Sequence, residues 1–186
     1  MLYDKDIREP LFDFLEERYG KIRIIEEKQM GRSRADLVMV AADAFYGIEI
    51  KSDADTYARL ERQVRDYNRY FDYNYVVAGS THGLHIEKHV PDWWGIITVE
   101  ETEVKTGVYI DFYVLRKPRP NPKPVLKQKL SLLWRSELAH IQAANGLPKY
   151  RDKSRAFVIE KLLLQVAPEL LNIQASEELF EREYRQ

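Results

Sequence analysis

The chain has 186 residues, no cysteine, 45% hydrophobic and 32% charged residues, and a formal net charge of −1. This is the profile of one folded domain with at most a small appendage, and the missing cysteine excludes disulfide scaffolds, thiolate metal sites, iron–sulfur clusters and cysteine nucleophiles. No run reaches the roughly 18 apolar residues of a membrane span, and the first residues carry acid (Asp4, Asp6) where a signal peptide needs base, so the expectation is a soluble cytoplasmic protein with no membrane partner.

Charge balances globally but not locally. Residues 1–116 carry a net −6, residues 117–162 a net +8, and residues 163–186 a net −3. An acidic body can supply carboxylates to a metal, and a basic arm can meet a polyanion or dock on that acidic body.

In chain order, Ile7, Leu11, Phe12, Phe14 and Leu15 recur at helical spacing over 4–19, with Asp4 as cap and Gly20 as stop. Residues 21–27 alternate as a short strand, 31–34 form a polar loop, and 35–40 and 45–50 form two further strands close enough for a hairpin. Residues 57–71 read as a helix, 74–78 as a strand, 82–89 as a short helix capped by Ser80 or Thr81, and 94–99 and 108–115 as the last strands. A helix between the third and fourth strands permits a parallel crossover. The fold class is therefore α/β: a mixed sheet flanked by helices.

Four prolines fall between Lys117 and Pro124, the composition of a stiff, extended connector. It divides the chain into a body over 1–116, a linker over 117–125 and a helical C-terminal extension over 126–186. Leu126, Leu130, Leu133, Trp134, Leu138 and Ile141 predict one helix ended by Asn145-Gly146. Phe157, Ile159, Leu162, Leu163 and Val166 predict a second, stopped at Pro168, and a last charged helix is expected over 176–185.

The third strand puts Glu49 and Lys51 on one face because strand side chains alternate. Asp36 begins the strand opposite, so a hairpin brings two carboxylates and an amine to one end of the sheet. Neighbouring carboxylates repel unless a cation intervenes, and hard oxygen ligands suit Mg²⁺ or Mn²⁺. A lysine beside such a cation can orient or help deprotonate water, which is equipment for phosphodiester hydrolysis. Gln63 and Tyr67, four apart, share a face of the next helix and can brace such a site, while Arg59, Arg62, Arg65 and Arg69 on that helix can meet phosphates.

Asp36, then Glu49-Ile50-Lys51, then Gln63-x-x-x-Tyr67 resembles the PD-(D/E)XK nuclease superfamily over roughly residues 5–80, nearest the RecB-type branch with its Gln-x-x-x-Tyr helix and the MmcB-like DNA-repair proteins. Ala35 stands where that pattern has proline. The resemblance implies a restriction-endonuclease-like fold and a Mg²⁺- or Mn²⁺-dependent deoxyribonuclease acting in DNA repair, restriction or mobile-element defence. It implies Asp36, Glu49 and a first-helix acid as metal ligands, Lys51 as the residue assisting water, and Gln63 and Tyr67 as residues that stabilise the site and contact DNA. The first-helix acid is assigned to Glu9, with Glu16 and Glu17 as competitors; Pro10 directly after Glu9 asks the helix to start or kink there. The resemblance implies DNA as the partner and leaves monomer and homodimer both open, since many relatives dimerise to cut two strands; the same fold without turnover would be a DNA-binding or regulatory module.

Arg32, Arg34, Arg59 and Arg62 in the body, and Lys149, Arg151, Lys153 and Arg155 before the helix near Ser154, are the expected DNA contacts. The C-terminal stripe Leu126, Leu130, Leu133, Trp134 would serve a protein partner if left exposed. No Walker or dinucleotide fingerprint is present, so no nucleotide cofactor is expected. His82, His85 and His89 read as solvated or capping residues, Trp93 and Trp94 as packing at the sheet edge, and Tyr70, Tyr73 and Tyr75 as helix–strand packing.

Overall fold

A six-stranded sheet in sequential order β1-β2-β3-β4-β5-β6 forms the centre of the molecule. The computed structural model describes residues 2–79, 83, 85–105 and 107–182. The strands are β1 (Arg23–Met30), β2 (Ser33–Val40), β3 (Phe45–Lys51), β4 (Tyr73–Gly79), β5 (Gly95–Val104) and β6 (Gly107–Arg116). β1, β2 and β3 form an antiparallel meander, β4 and β5 follow in parallel, and β6 returns antiparallel to β5. The sheet is mixed, as the helix between the third and fourth strands requires.

Helix α1 (Asp4–Tyr19) lies on one face and buries Ile7, Leu11 and Leu15. They pack against Leu37, Met39, Ile48, Ile50, Tyr75 and Val77. Asp4 is the first helical residue rather than the cap; Asp6 instead accepts the Tyr3 amide at 3.1 Å. Gly20, at φ 73°, closes the helix by donating to the Glu16 carbonyl at 2.8 Å, the left-handed backbone a glycine adopts cheaply. Pro10 sits inside the helix, which neither starts nor ends at it.

The opposite face carries α2 (Leu60–Tyr70), entered through a 3₁₀ turn at Tyr57–Arg59, and four C-terminal helices. These are α3 (Leu126–Leu130), α4 (Arg135–Ala144), α5 (Arg155–Gln165) and α6 (Pro168–Phe180). Val38, Val40, Phe45, Phe71, Trp94, Leu130, Leu133, Leu138, Ile159, Leu162 and Leu171 belong to one buried cluster, so the C-terminal helices share the core of the sheet. Trp94 is fully buried and donates to Asn68 Oδ1 at 2.8 Å beneath α2, rather than packing at a sheet edge.

The proline-rich run is anchored to the body by hydrogen bonds. Asn121, buried within it, donates to the carbonyls of Asn68 and Phe71 at 2.7 and 2.8 Å, and its own amide reaches the Asp72 carbonyl at 2.8 Å. Lys129 then donates to Asp72 and Asn172, each at 2.6 Å, with Phe45 beneath its ammonium at 4.1 Å. The expected C-terminal stripe is covered at Leu130 and Leu133, while Trp134 stays 42% exposed with Arg182 stacked on its ring.

Two C-terminal helix boundaries differ from expectation. The single helix over 126–141 is two, because Ser131 Oγ turns back to the Gln128 carbonyl and the Glu137 carboxylate takes the Trp134 amide at 2.6 Å, starting a new helix. Pro168 does not only stop a helix: it opens α6 at the position where its missing N–H costs nothing. The last helix therefore spans 168–180 rather than 176–185, whose final residues lie outside the described part. Ser80, Thr81, His82 and Leu84 of the expected short helix and its cap also lie outside the described residues; within the described part, Ile86–Lys88 form a 3₁₀ turn.

Candidate active site

The β2–β3 register pairs Leu37 with Ile48, which brings Asp36 level with Glu49 at the end of the hairpin. Asp36 Oδ2 accepts the Ile50 amide at 2.8 Å, so the Asp36 carboxylate is fixed against the strand that carries the second acid. Glu49, 1% exposed, accepts from Lys51 Nζ at 2.7 Å and from the Gln63 amide through Oε1, and from the Tyr67 hydroxyl at 2.8 Å through Oε2. Lys51 also donates to Gln63 Oε1 at 3.1 Å. The Asp36 amide reaches the Tyr67 hydroxyl at 3.2 Å. One network thus joins β2, β3 and α2 through Asp36, Glu49, Lys51, Gln63 and Tyr67.

Gly47 makes this arrangement possible. A Cβ there would stand 2.2 Å from Phe71 Cδ2 and 2.6 Å from Tyr67 Cδ1. Gly47→Ala is therefore expected to lower stability by about 3 kcal/mol, the upper range for core overpacking, and to push Tyr67 off Glu49. Urea unfolding measures the first effect; a wild-type midpoint would contradict it.

Burial, reinforced by the Glu49 charge, pushes the Asp36 carboxyl up to about 8. Burial likewise raises Glu49, against the pull of Lys51, Tyr67 and Gln63, and holds the Tyr67 phenol well above its ordinary range. Lys51 offsets one of two adjacent carboxylates, and the site favours a further positive charge. Mg²⁺ commonly binds through one or two carboxylates plus waters and substrate phosphate, so the oxygen donors of Asp36 and Glu49 fit such a cation. Among the described residues no group of three His, Cys, Asp or Glu is arranged to hold a metal.

Asp36, Glu49, Lys51 and Gln63 line a cleft of about 430 Å³ with Arg32, Arg34, Arg59 and Arg62, and with Arg8, Asp4 and Glu27 along one wall; Tyr67 is fully buried behind them, so it braces Glu49 and is not placed to touch DNA. Glu9 is not in the cleft. It lines a separate hollow with Lys5, Glu101, Val108 and Ile110, and Glu16 and Glu17 are absent from the cleft lining as well. The helix face that looks into the cleft is that of Asp4 and Arg8, joined at 2.7 Å one turn apart. The expected assignment of Glu9 therefore fails on the rotational setting of α1: its acid at the cleft is Asp4. The i, i+4 spacing of Asp4 and Arg8 was a readable signal for the pair, though not for its direction.

The second expected basic group is dispersed. Lys149 and Arg151 border a different hollow with Arg135 and His140. Arg155 donates to the Leu133 carbonyl at 3.2 Å, and Lys153 lies over Phe157 at 5.7 Å. His89 stacks on Tyr57 at 4.0 Å, and His140 meets Glu178 at 3.0 Å.

A family model described as bacteriophage P4 protein cII matches residues 2–186. The chain belongs to that family. No curated protein matches this cII-family chain. Among solved structures it is similar to Pyrococcus furiosus SfsA in complex with Ca²⁺, at 15% identity and a TM-score of 0.37, over 61% of this chain and 62% of that one. The match thus spans less than two thirds of the solved relative. No helix among the described residues is long and apolar enough to cross a membrane.

Proposed function

We propose that this cII-family chain is a divalent-metal-dependent nuclease of the PD-(D/E)XK type that hydrolyses DNA phosphodiesters. The observation that carries the reading is one network in which Asp36, Glu49, Lys51 and Gln63 line an arginine-rimmed cleft and the buried Tyr67 braces Glu49 from behind.

Asp36 and Glu49 would hold the cation, which when bound supplies an activated water and neutralises charge developing on phosphorus. The remaining work belongs to the chain. Tyr67 and Gln63 fix the Glu49 carboxylate so that its orientation does not depend on substrate. Lys51 has three N–H donors, and Glu49 and Gln63 take two. The third is left for a water or a phosphate oxygen, where a preorganised positive charge stabilises the transition state. Arg32, Arg34, Arg59 and Arg62 supply phosphate contacts along the cleft.

One observation favours a second reading, a DNA-binding module without turnover. Both Glu49 oxygens already carry hydrogen bonds and the side chain is almost wholly buried, so the network could be a self-sufficient polar core. Supercoiled plasmid and single-stranded DNA, incubated with Mg²⁺ or Mn²⁺ against a chelator, separate the two. Metal-dependent cutting is the expected result. Binding without cutting in either metal gives the second reading, and neither binding nor cutting discards both.

A further inference from the structure

Glu27 departs from ordinary strand backbone at φ 54°, the only non-glycine residue with positive φ among the described residues. The β1–β2 register pairs Glu26 with Leu37 and Lys28 with Ala35, so Glu27 is level with Asp36. Glu27, Asp36 and Glu49 thus stand in one row across β1, β2 and β3, and all three line the cleft. A left-handed residue at a sheet edge is met cheaply by glycine or asparagine and at a cost by glutamate. Backbone strain of this kind persists where surrounding structure maintains it, and concentrates at functional sites.

The Glu27 carboxylate holds two arginines, one per oxygen. Arg8 Nη2 reaches Oε1 and Arg34 Nε reaches Oε2, each at 2.5 Å. Arg8 is further tied to Asp4 at 2.7 Å and Glu26 at 3.0 Å, and its side chain is 15% exposed. Arg34 binds Glu27 through Nε alone and is 64% exposed, so the outer edge of its guanidinium faces the cleft solvent.

We propose that Glu27 is a positioning residue that, anchored by Arg8, aims Arg34 at a substrate phosphate beside the one that meets the cation-holding acidic pair. The proposal rests on the nuclease reading for the identity of the substrate, but its test does not require cleavage. A fork held through Nε leaves both terminal nitrogens to take phosphate oxygens bidentately. Substitution of a side chain on the edge strand β1 would then alter DNA binding without touching Asp36, Glu49 or Lys51.

Fluorescence anisotropy of a labelled DNA 20-mer, in chelator and over a salt series, decides the matter. Removing a carboxylate from a DNA-binding cleft should by charge alone tighten binding. Positioning reverses that sign: Glu27→Gln is expected to weaken binding about tenfold and to make the salt slope shallower by about 1, the value of one lost phosphate contact. Arg34→Gln should do the same, and the double variant should be no worse than Arg34→Gln alone, as coupled residues require. Glu27→Gly keeps the backbone conformation without strain, so it should melt at or above the wild-type temperature while binding as weakly as Glu27→Gln. Unchanged or tighter binding by Glu27→Gln and Glu27→Gly, or additive losses in the double variant, overturns the proposal. A wild-type protein that binds DNA but never cuts would remove the nuclease reading and leave this result standing.

Discussion

Glu49→Gln is expected to reduce metal-dependent cleavage by a factor of roughly 10³, the scale of losing one preorganised charged group at a transition state, and to cost stability as well. The substitution keeps shape and leaves the Tyr67 hydroxyl a carbonyl oxygen to donate to. It removes the charge that compensates Lys51, whose side chain is 5% exposed. Removing one partner from a buried ion pair leaves a lone charge in low dielectric, at a cost of about 3–5 kcal/mol. At a few degrees per kcal/mol for a domain of this size, that is a melting shift of about 10 °C. Activity must therefore be read at a temperature where circular dichroism shows a native fold. Lys51→Met offers the complementary control, since Glu49 keeps its hydrogen bonds to Tyr67 and Gln63 while the cation is lost. Cleavage undiminished in both variants would refute the assigned roles.

The second large effect lies outside the cleft lining. Arg182, 3% exposed, donates to both oxygens of Glu137 at 2.6 Å and to the Leu132 carbonyl at 3.0 Å. Glu137 also caps α4 through the Trp134 amide. Glu137→Ala thus strands a buried guanidinium and uncaps a helix, for a combined loss of about 4–6 kcal/mol. Arg182→Met should cost less, because the methionine fills apolar space and Glu137 retains its capping role. Thermal melts of the two variants check the order: Glu137→Ala well below Arg182→Met. Equal midpoints would show that the stranded guanidinium and the lost cap add nothing beyond loss of the pair itself.

The grouping of Asp36, Glu49, Lys51, Gln63 and Tyr67 was legible because each step used local geometry: alternation along a strand, a short hairpin, and i, i+4 spacing on the next helix. The placement of Glu9 was not legible, because the setting of α1 about its axis is fixed by Ile7, Leu11 and Leu15 packing on β2, β3 and β4, contacts that short-range spacing does not specify. Glu27 was hidden for another reason: a left-handed residue breaks the alternation on which strand faces are read. The split of α3 from α4 escaped because Leu130, Leu133 and Leu138 face one core on both sides of the break, so apolar periodicity runs through it. Glu137, three residues beyond Trp134, was the available signal. Pro168 is ambiguous in any sequence, since the same ring that ends one helix begins another.

Asp72 accepts the Phe45 amide at 2.7 Å and the Lys129 ammonium at 2.6 Å. The first residue of β3 is thereby fastened to the C-terminal helices, while the last, Lys51, is fastened to α2 through Gln63. One seven-residue strand spans both attachments. A load placed on the helical half, whether a bound macromolecule or a truncation, is therefore felt at the strand bearing both the acid and the amine, and the two halves cannot be swapped between proteins as interchangeable parts.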